Sequence, residues 1–528
     1  MEVHHIAYGA TGRFSPPVLD HLANDPFLRE FLELAPTLEG LCTAASGRSF
    51  SVEARRILCT VLDQQHAGLD LHPAVRANLD LFRDERCLSI TTGHQLCLFT
   101  GPLYVPYKIL NTVRLAREAA VVLQRPVIPV FWMATEDHDA EEIDHAFING
   151  QKVQWSGTSS GAVGRMPLIG IRAVVDQAIE LLGTGPSVGE IAAALRDCYT
   201  EDRTLAEATR RFVHILFGHL GLVIIDGDDP ALKRLFVPVI QEELVNQVAQ
   251  RTVAYANERI QGRYAVQAHA REINLFHLRP GHRSRIVRDD DHYQVLDGGP
   301  RWTLDELLME AQVRPQDFSP NVLLRPVYQE TVLPNIAYIG GGGELAYWLQ
   351  LRWLFQGMRV PMPVVFLRTS AASISAKHLR KWEELGLGKT DLFLPLDGLK
   401  AQVAKKRSSF PTGLDAERQR LVAFYEELSE RAGSIDPTLR GAVEAQQMRA
   451  LRGLERIEQG LVRAAKREQE TALRRMDAVN AALFPNGGLQ ERKDNILPML
   501  GARGVHQLDK LMEVLDPLAQ EFTLIEEP

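Results

Sequence analysis

Hydrophobic runs of strand length that stop abruptly at polar clusters recur four times along this chain. They are residues 87–95 (CLSITTGHQ), 127–139 (VIPVFWMATEDHD), 222–229 (LVIIDGDD) and 363–370 (PVVFLRTS). Continuous apolar runs, rather than alternating ones, mark strands buried on both faces of a parallel α/β sheet. Ligands of such sheets bind in the crevice outside the carboxyl ends of the strands. The pattern therefore predicts that Gly93, His94, Glu136, Asp137, His138, Asp139, Asp226, Asp228, Arg368 and Ser370 gather along one edge.

Between the first two runs, Leu110, Val113, Ala116 and Ala120 mark the apolar face of a helix from about Tyr104 to Leu123, long enough for a right-handed crossover. Helical periodicity also fills residues 15–85, 204–220 and 230–260. Residues 151–187 read as an insertion with short strands and a Gly/Ser-rich patch at 156–164, and residues 261–315 as a mainly β excursion. The sheet resumes near 335–339 and again at 364–367. Residues 414–432 and 438–484 read as two antiparallel helices of a coiled coil, joined by a turn that contains Gly433 and Pro437. Their stripe, with Leu454, Ile457, Leu461 and Ala465, exceeds what one arm buries alone, so a homodimer through the arm is expected. The expected architecture is an α/β core over residues 1–380 with insertions at about 151–200 and 261–320. A helical arm over 381–494 and a segment over 495–528 that returns to the core complete it.

A chain of 528 residues exceeds one ordinary domain and can bury a core without covalent staples. The net charge of −8 argues against a nucleic-acid coat. The five cysteines, Cys42, Cys59, Cys87, Cys97 and Cys198, form no CxxC pair, so reduced thiols are expected rather than disulfides or a zinc knuckle. The N-terminus lacks the pattern of a signal peptide. The most apolar stretch, residues 119–134, is interrupted by Gln124, Arg125 and two prolines and is shorter than the roughly 20 residues a membrane span needs. A cytoplasmic protein with no membrane partner is expected.

The candidate chemistry lies at the strand tips. Thr92, Gly93, His94 and Gln95 read as a turn from strand to helix, whose amides and positive dipole end suit an anion; a plain turn is the alternative. Tyr104, Tyr107 and Lys108 follow as candidate ligand contacts. Glu136, Asp137, His138 and Asp139 place three carboxylates and an imidazole in succession, which suits a general base. Their spacing matches no metal signature, so no metal is expected, and a helix cap at Asp137 or Asp139 is the alternative. Asp226 suits a hydroxyl, an ammonium or a ribose. Arg271 and Asn274, with Arg279, Arg283, Arg285 and Arg288 nearby, suit a carboxylate or phosphate. Arg325 and Gln329 precede four glycines at 340–343, where Gly341 and Gly342 lead to a helix begun by Glu344. That turn either cradles an anion or serves tight packing; it lacks the Lys and Ser/Thr of a P-loop.

Six segments in order, TGHQLCLFTGPLYVPYK, PVFWMATEDHDAEEIDH, GLVIIDGDDPALKRLF, REINLF, NVLLRPVYQETVLPNIAYIGGGGELAYW and PNGGLQER, resemble the bacillithiol biosynthesis cysteine-adding enzyme family, the cysteine ligases. His94 stands where members often carry glutamine. The resemblance implies a Rossmann-like core with connecting-peptide insertions and a coiled-coil arm that makes a dimer. It also implies a reaction that adds L-cysteine to the amino group of glucosaminyl-malate, giving bacillithiol. The family is likened to class I aminoacyl-tRNA synthetases, which hold ATP phosphates on a His/Gly turn; TTGHQ occupies that place without a full HxGH, and SISAK (residues 373–377) is a faint echo of KMSKS. A nucleotide, ATP or ADP, is the one cofactor this leaves open. Two other readings stay open: a nucleotidylyltransferase or synthetase-like enzyme acting on another small acid, and a non-catalytic sugar- or nucleotide-binding scaffold.

Overall fold

In the computed structural model, which describes residues 2–157 and 160–527, the four runs and the stretch before the glycines become one parallel sheet. Its strands are β1 (Leu88–His94), β2 (Val127–Met133), β3 (Val223–Asp226), β4 (Asn335–Gly340) and β5 (Val364–Leu367). Their spatial order is β5-β4-β1-β2-β3, all parallel. Every residue of β2 is buried, and its side chains divide between the two faces. Ile128, Val130 and Trp132 pack with Phe236 and Ile240, while Phe131 and Met133 pack with Tyr107, Leu110 and Val113. The chain builds outward from β1 to β3, then crosses back to lay down β4 on the other side of β1. That reversal makes the β1/β4 crevice the topological switch point.

Helix α1 (Tyr104–Leu123) makes the first crossover. Helix α2 (Pro230–Asn246) starts on the Asp229 carboxylate, which accepts from the amides of Ala231 and Leu232, a cap-then-proline start. Residues 230–260 are not one helix: Gln247, at φ 48°, separates α2 from the helix Val248–Ile260. Helices α3 (Leu324–Val332) and α4 (Gly342–Trp348) flank β4.

Two of the expected strand–helix turns differ from the sequence reading. Strand β1 runs on through His94, and a loop with a 3-10 turn (Leu98–Thr100) intervenes before α1, so TTGHQ does not open onto a helix N-terminus. The loop doubles back at Gly101, whose φ of 66° and 2.5 Å clearance between a built Cβ and the Cys97 Cβ admit no side chain. Helix α4 begins at Gly342, which makes Glu344 its third residue rather than its first.

The region 261–320 is the expected β excursion. Strands Leu275–Arg279, His282–Asp289, His292–Val295 and Arg301–Trp302 join Phe318–Pro320 in an antiparallel sheet, with helix Leu304–Val313 against it. After the hairpin His145–Ile148/Gln151–Gln154, the region 151–200 is mainly helical (Ile171–Leu182, Val188–Cys198). Within the Gly/Ser-rich patch, Thr158 and Ser159 lie outside the described residues. A sheet the periodicity does not announce joins the chain ends: Glu521–Glu527 lies between Glu2–Ala7 and Ala371–Ser375. The SISAK segment spans that last strand and the start of the next helix.

The arm is α5 (Asp415–Ile435) and α6 (Leu439–Glu468), continued after a break at Gln469 by α7 (Glu470–Leu483). Arg418 on α5 meets Glu458 on α6 at 3.0 Å, and Gly433 lies against Arg440, so the two helices run antiparallel. Among the described residues no helix is long and apolar enough to cross a membrane.

Candidate functional site

A cavity of about 510 Å³ opens at the β1/β4 switch point, within the size range of small-molecule sites. Gly93, His94 and Gln95 from β1 and its following loop, and Tyr104 from α1, form one side. Glu136, Asp137 and His138 beyond β2 form the next. Arg325 and Gln329 from α3, Gly341, Gly342 and Glu344 at α4, and Arg368 beyond β5 close the rest.

The β1/β4 side is rigidly paired. Lys108 on α1 is buried and donates to the Gly93 carbonyl at 2.6 Å and to Glu344 Oε2 at 2.7 Å. It therefore supports the wall from behind rather than facing a ligand. Tyr338 donates to the other Glu344 oxygen, and the Gly341 amide donates to Oε2 at 2.8 Å. Burial pushes the Glu344 pKa up, but Lys108, Tyr338 and that amide outweigh it and hold it down at about 2. The glycine turn thus meets its own carboxylate: the amide that would face a phosphate already serves Glu344. The second expected anion cradle, at TTGHQ, lacks its helix. Burial, helped by Lys108, lowers the His94 pKa to about 4, so the ring is neutral. Its Nδ1 lies 3.1 Å from the Gln95 carbonyl, which can only accept, and Nε2 lies 3.1 Å from the Tyr104 hydroxyl. The proton therefore sits on Nδ1 and Tyr104 donates to Nε2.

Arg368 is buried and forks onto Glu491 at 2.9 and 2.7 Å, while its Nε has no partner. Ser370 receives the same guanidinium at 3.3 Å and donates its amide to the Tyr8 hydroxyl, which places it beneath Arg368 and off the cavity surface. Glu491 and Arg492 arrive on the chain returning from the arm, and Arg492 enters the cavity.

On the β2 side the four residues 136–139 part company. Glu136 pairs with Lys233 Nζ at 2.7 Å, and the same ammonium reaches Asp228 at 2.7 Å; Arg165 completes Asp228 with a fork at 2.6 and 2.8 Å. Burial raises the Glu136 pKa against the pull of Lys233. Asp137 lies 3.6 Å from Arg283 and 3.8 Å from Arg325. Burial opposes ionisation there, but the His138 amide and the two guanidiniums outweigh it and hold the carboxyl well below its usual range. His138 is half-exposed and receives Arg283 on Nδ1 at 2.8 Å, which puts the proton of the neutral ring on Nε2 and makes that atom a donor. Asp139 is exposed and caps the short helix Ala140–Ile143 by accepting from the Glu142 amide, the cap alternative realised.

Several sequence candidates stand behind the wall. Thr92 ties β1 to β4 through the Ile339 carbonyl at 2.8 Å. Asp226 accepts from Thr135 and the Asp228 amide and meets Arg210 at 3.3 Å. Asn274 is buried and receives Asn321, itself a lining residue, at 2.9 Å. Arg271 is exposed, its backbone tied to Asn274. Sequence reasoning passed over the lining residues Trp132, Glu142, Phe276, Asn321 and Tyr338. Glu142, bound to Gln95 at 2.6 Å, was the most accessible of these, since it falls three residues beyond the acidic cluster.

The chain matches two family models that together span nearly all of it: "Bacillithiol biosynthesis BshC, N-terminal Rossmann-like domain" over residues 1–369 and "Bacillithiol biosynthesis BshC, C-terminal coiled-coil domain" over residues 371–527. The protein named "Putative cysteine ligase BshC" from Flavobacterium johnsoniae is 36% identical over 523 residues, 98% of this chain and 99% of that one. Proteins of the same name from Chlorobaculum tepidum and Geobacillus kaustophilus are 31% and 30% identical. They cover 91% and 89% of this chain and 90% of their own length in each case.

Proposed function

This chain belongs to the bacillithiol biosynthesis BshC family, and on that premise we propose that it is a ligase that joins the carboxyl group of L-cysteine to the amino group of glucosaminyl-malate in the switch-point cavity. The observation that carries this reading is the division of charge in the cavity. Arg283, Arg325, Arg368 and Arg492 line it together with Glu136, Asp137, Glu142 and Glu344. A guest with malate carboxylates suits the guanidiniums, and its sugar hydroxyls suit the carboxylates.

In this reading the substrate ammonium gives its proton to the Glu136 carboxylate, whose pKa burial raises, and the free amine attacks the cysteine carbonyl carbon. A new C–N bond forms as the carbonyl carbon loses an oxygen-linked leaving group. Asp137, held ionised by its arginines, is a weak base and orients the amine; Glu142 accepts from sugar hydroxyls and His138 Nε2 donates to a substrate oxygen. Condensation in water requires the cysteine carboxyl to be activated, and ATP is the candidate activator. Incubation of the pure protein with cysteine and glucosaminyl-malate, with and without ATP, tests the reading by mass spectrometry of the amide. No product in either arm overturns it, and product without ATP removes the nucleotide. Replacement Glu136→Gln should lower kcat by about 10²–10⁴-fold; near-normal turnover would remove Glu136 from the role of base.

The arm joins two copies in the same proposal. Phe424, Leu428 and Ile435, at spacings of four and seven on α5, are 58%, 37% and 77% exposed, an apolar face that a second copy would cover. Light scattering should show a dimer for the intact chain and a monomer for the double variant Phe424→Glu/Leu428→Glu; a wild-type monomer overturns this part.

A further inference from the structure

Away from the cavity, three side chains with metal-ligating atoms converge from separate elements of the antiparallel excursion. His277 comes from the strand Leu275–Arg279, Glu310 from the helix Leu304–Val313, and Asp317 from the turn Pro315–Asp317. One ligand atom from each lies within 4.8 Å of the others. His277 is only 3% exposed, and neither of its ring nitrogens has a hydrogen-bond partner. The rings of Trp302 and Phe318, with centroids 5.4 and 5.8 Å away, pack around it. A buried polar group left unsatisfied is destabilising, so an orphaned imidazole beside two carboxylates calls for a partner.

We infer that His277, Glu310 and Asp317 form a binding site for one divalent transition-metal ion of the zinc type. The donor set fits: imidazole and carboxylate oxygens bind zinc and its neighbours, and three protein ligands leave a position for water. In the ion-free arrangement Arg314 bridges the carboxylates, donating from Nε to Glu310 at 2.6 Å and lying 3.4 Å from Asp317. Its side chain is more than half exposed, so it can swing into solvent when an ion takes its place.

The role of the ion is structural. Phe276 pairs with Ser319 and His277 with Phe318. Phe276 and Pro320 line the cavity, and alternation along the strands turns His277 to the reverse face. The same turn presents the Gln316 carbonyl to Lys233 at 3.2 Å, so an ion there braces a support of the Glu136 wall.

The test uses the full-length protein, stripped by a chelator and titrated with Zn²⁺ by calorimetry, with Co²⁺ absorption as a report on geometry. One ion per chain is expected. His277→Ala and Asp317→Asn should each weaken binding by more than the roughly 10–100-fold that follows loss of an outer-shell partner, and Arg314→Ala should tighten it. Asp317 is partly exposed, so its variant carries the test if His277→Ala does not fold, with circular dichroism as the check on folding. A second group, Glu2, His4 and Glu526, is more open to solvent, and His4→Ala serves as the control. Absence of stoichiometric zinc overturns the inference. So does binding that is lost in His4→Ala but unchanged in Asp317→Asn.

Discussion

Around the cavity, Lys108, Lys233 and Arg368 are each at most 4% exposed at the side chain, and each is matched to a carboxylate within 2.7 Å. Along the arm, ion pairs such as Arg418 with Glu458 are partly exposed, and α5 and α6 bury only Gly433 and Ala465 between them. The two regions carry similar residue types to opposite effect. A buried charge must be matched because its lost hydration is not otherwise replaced, so the cavity wall is a closed set in which each member fixes the next. The arm's charges keep part of their water and fix little. The two meet at the arm's root, where Glu491 leaves the helical region to hold Arg368.

The largest effect should come from breaking the closed set. Lys233→Met leaves Glu136 without its paired cation and Asp228 with Arg165 alone, and the stability measured by urea unfolding should fall by about 3–5 kcal/mol. A loss below 1 kcal/mol would mean that the cavity wall behaves like the arm. Lys108→Met should have a slightly smaller effect with a distinctive pH profile. Glu344 has a folded pKa held down at about 2 from 4.5. Its ionisation therefore contributes stability that is present above about pH 4.5 and is lost as the pH falls toward 2, about 3 kcal/mol in all. Without Lys108 the burial term is less opposed and that contribution largely disappears. The gap between wild type and variant should be widest at pH 7, narrow by pH 3 and close only below about pH 2, in urea midpoints compared at each pH.

This closed set also explains what the sequence discloses. The strand tips are legible because a doubly covered strand must be continuously apolar, and the first polar residue after it marks the sheet's edge; Gly93, Glu136 and Arg368 are found by that rule. These long-range partners are not legible, because Lys233 lies nearly 100 positions from Glu136 and Glu491 more than 100 from Arg368, in segments with ordinary helical or loop patterns. Lys108 reads from the sequence as a candidate ligand contact, yet the same sheet edge supplies Glu344 to receive it. The strand Glu2–Ala7 escaped because its sequence, EVHHIA, is half polar without a continuous apolar run and its register is set by Glu521–Glu527 at the far end of the chain. His277, Glu310 and Asp317 follow no ligand spacing and meet only through the fold.

A milder contrast runs within the acidic cluster itself. Asp139 follows Asp137 by two residues but belongs, by its exposure, with the arm. Asp139→Asn should retain most of the cap on Ala140–Ile143, and Asp139→Ala should cost about 0.5–2 kcal/mol. Turnover of the folded fraction should be unchanged in both. A kcat deficit in Asp139→Asn at normal stability would restore the residue to the catalytic group.

The smallest effect is the sharpest check on the arm. Arg418 and Glu458 meet at 3.0 Å with side chains 39% and 20% exposed, a geometry that resembles the Lys108–Glu344 contact if distance alone is considered. Both groups keep part of their water after folding, so less hydration is lost than at the cavity wall, and solvent-exposed pairs are worth about 0–1 kcal/mol. Arg418→Ala should therefore shift the unfolding free energy by no more than that, and the shift should shrink further in high salt, where such pairs are screened. A loss of several kcal/mol that persists in salt would mean the pair is buried in the working molecule. In the proposed dimer a second arm would bury it, so the same measurement would also locate the dimer contact along α5 and α6.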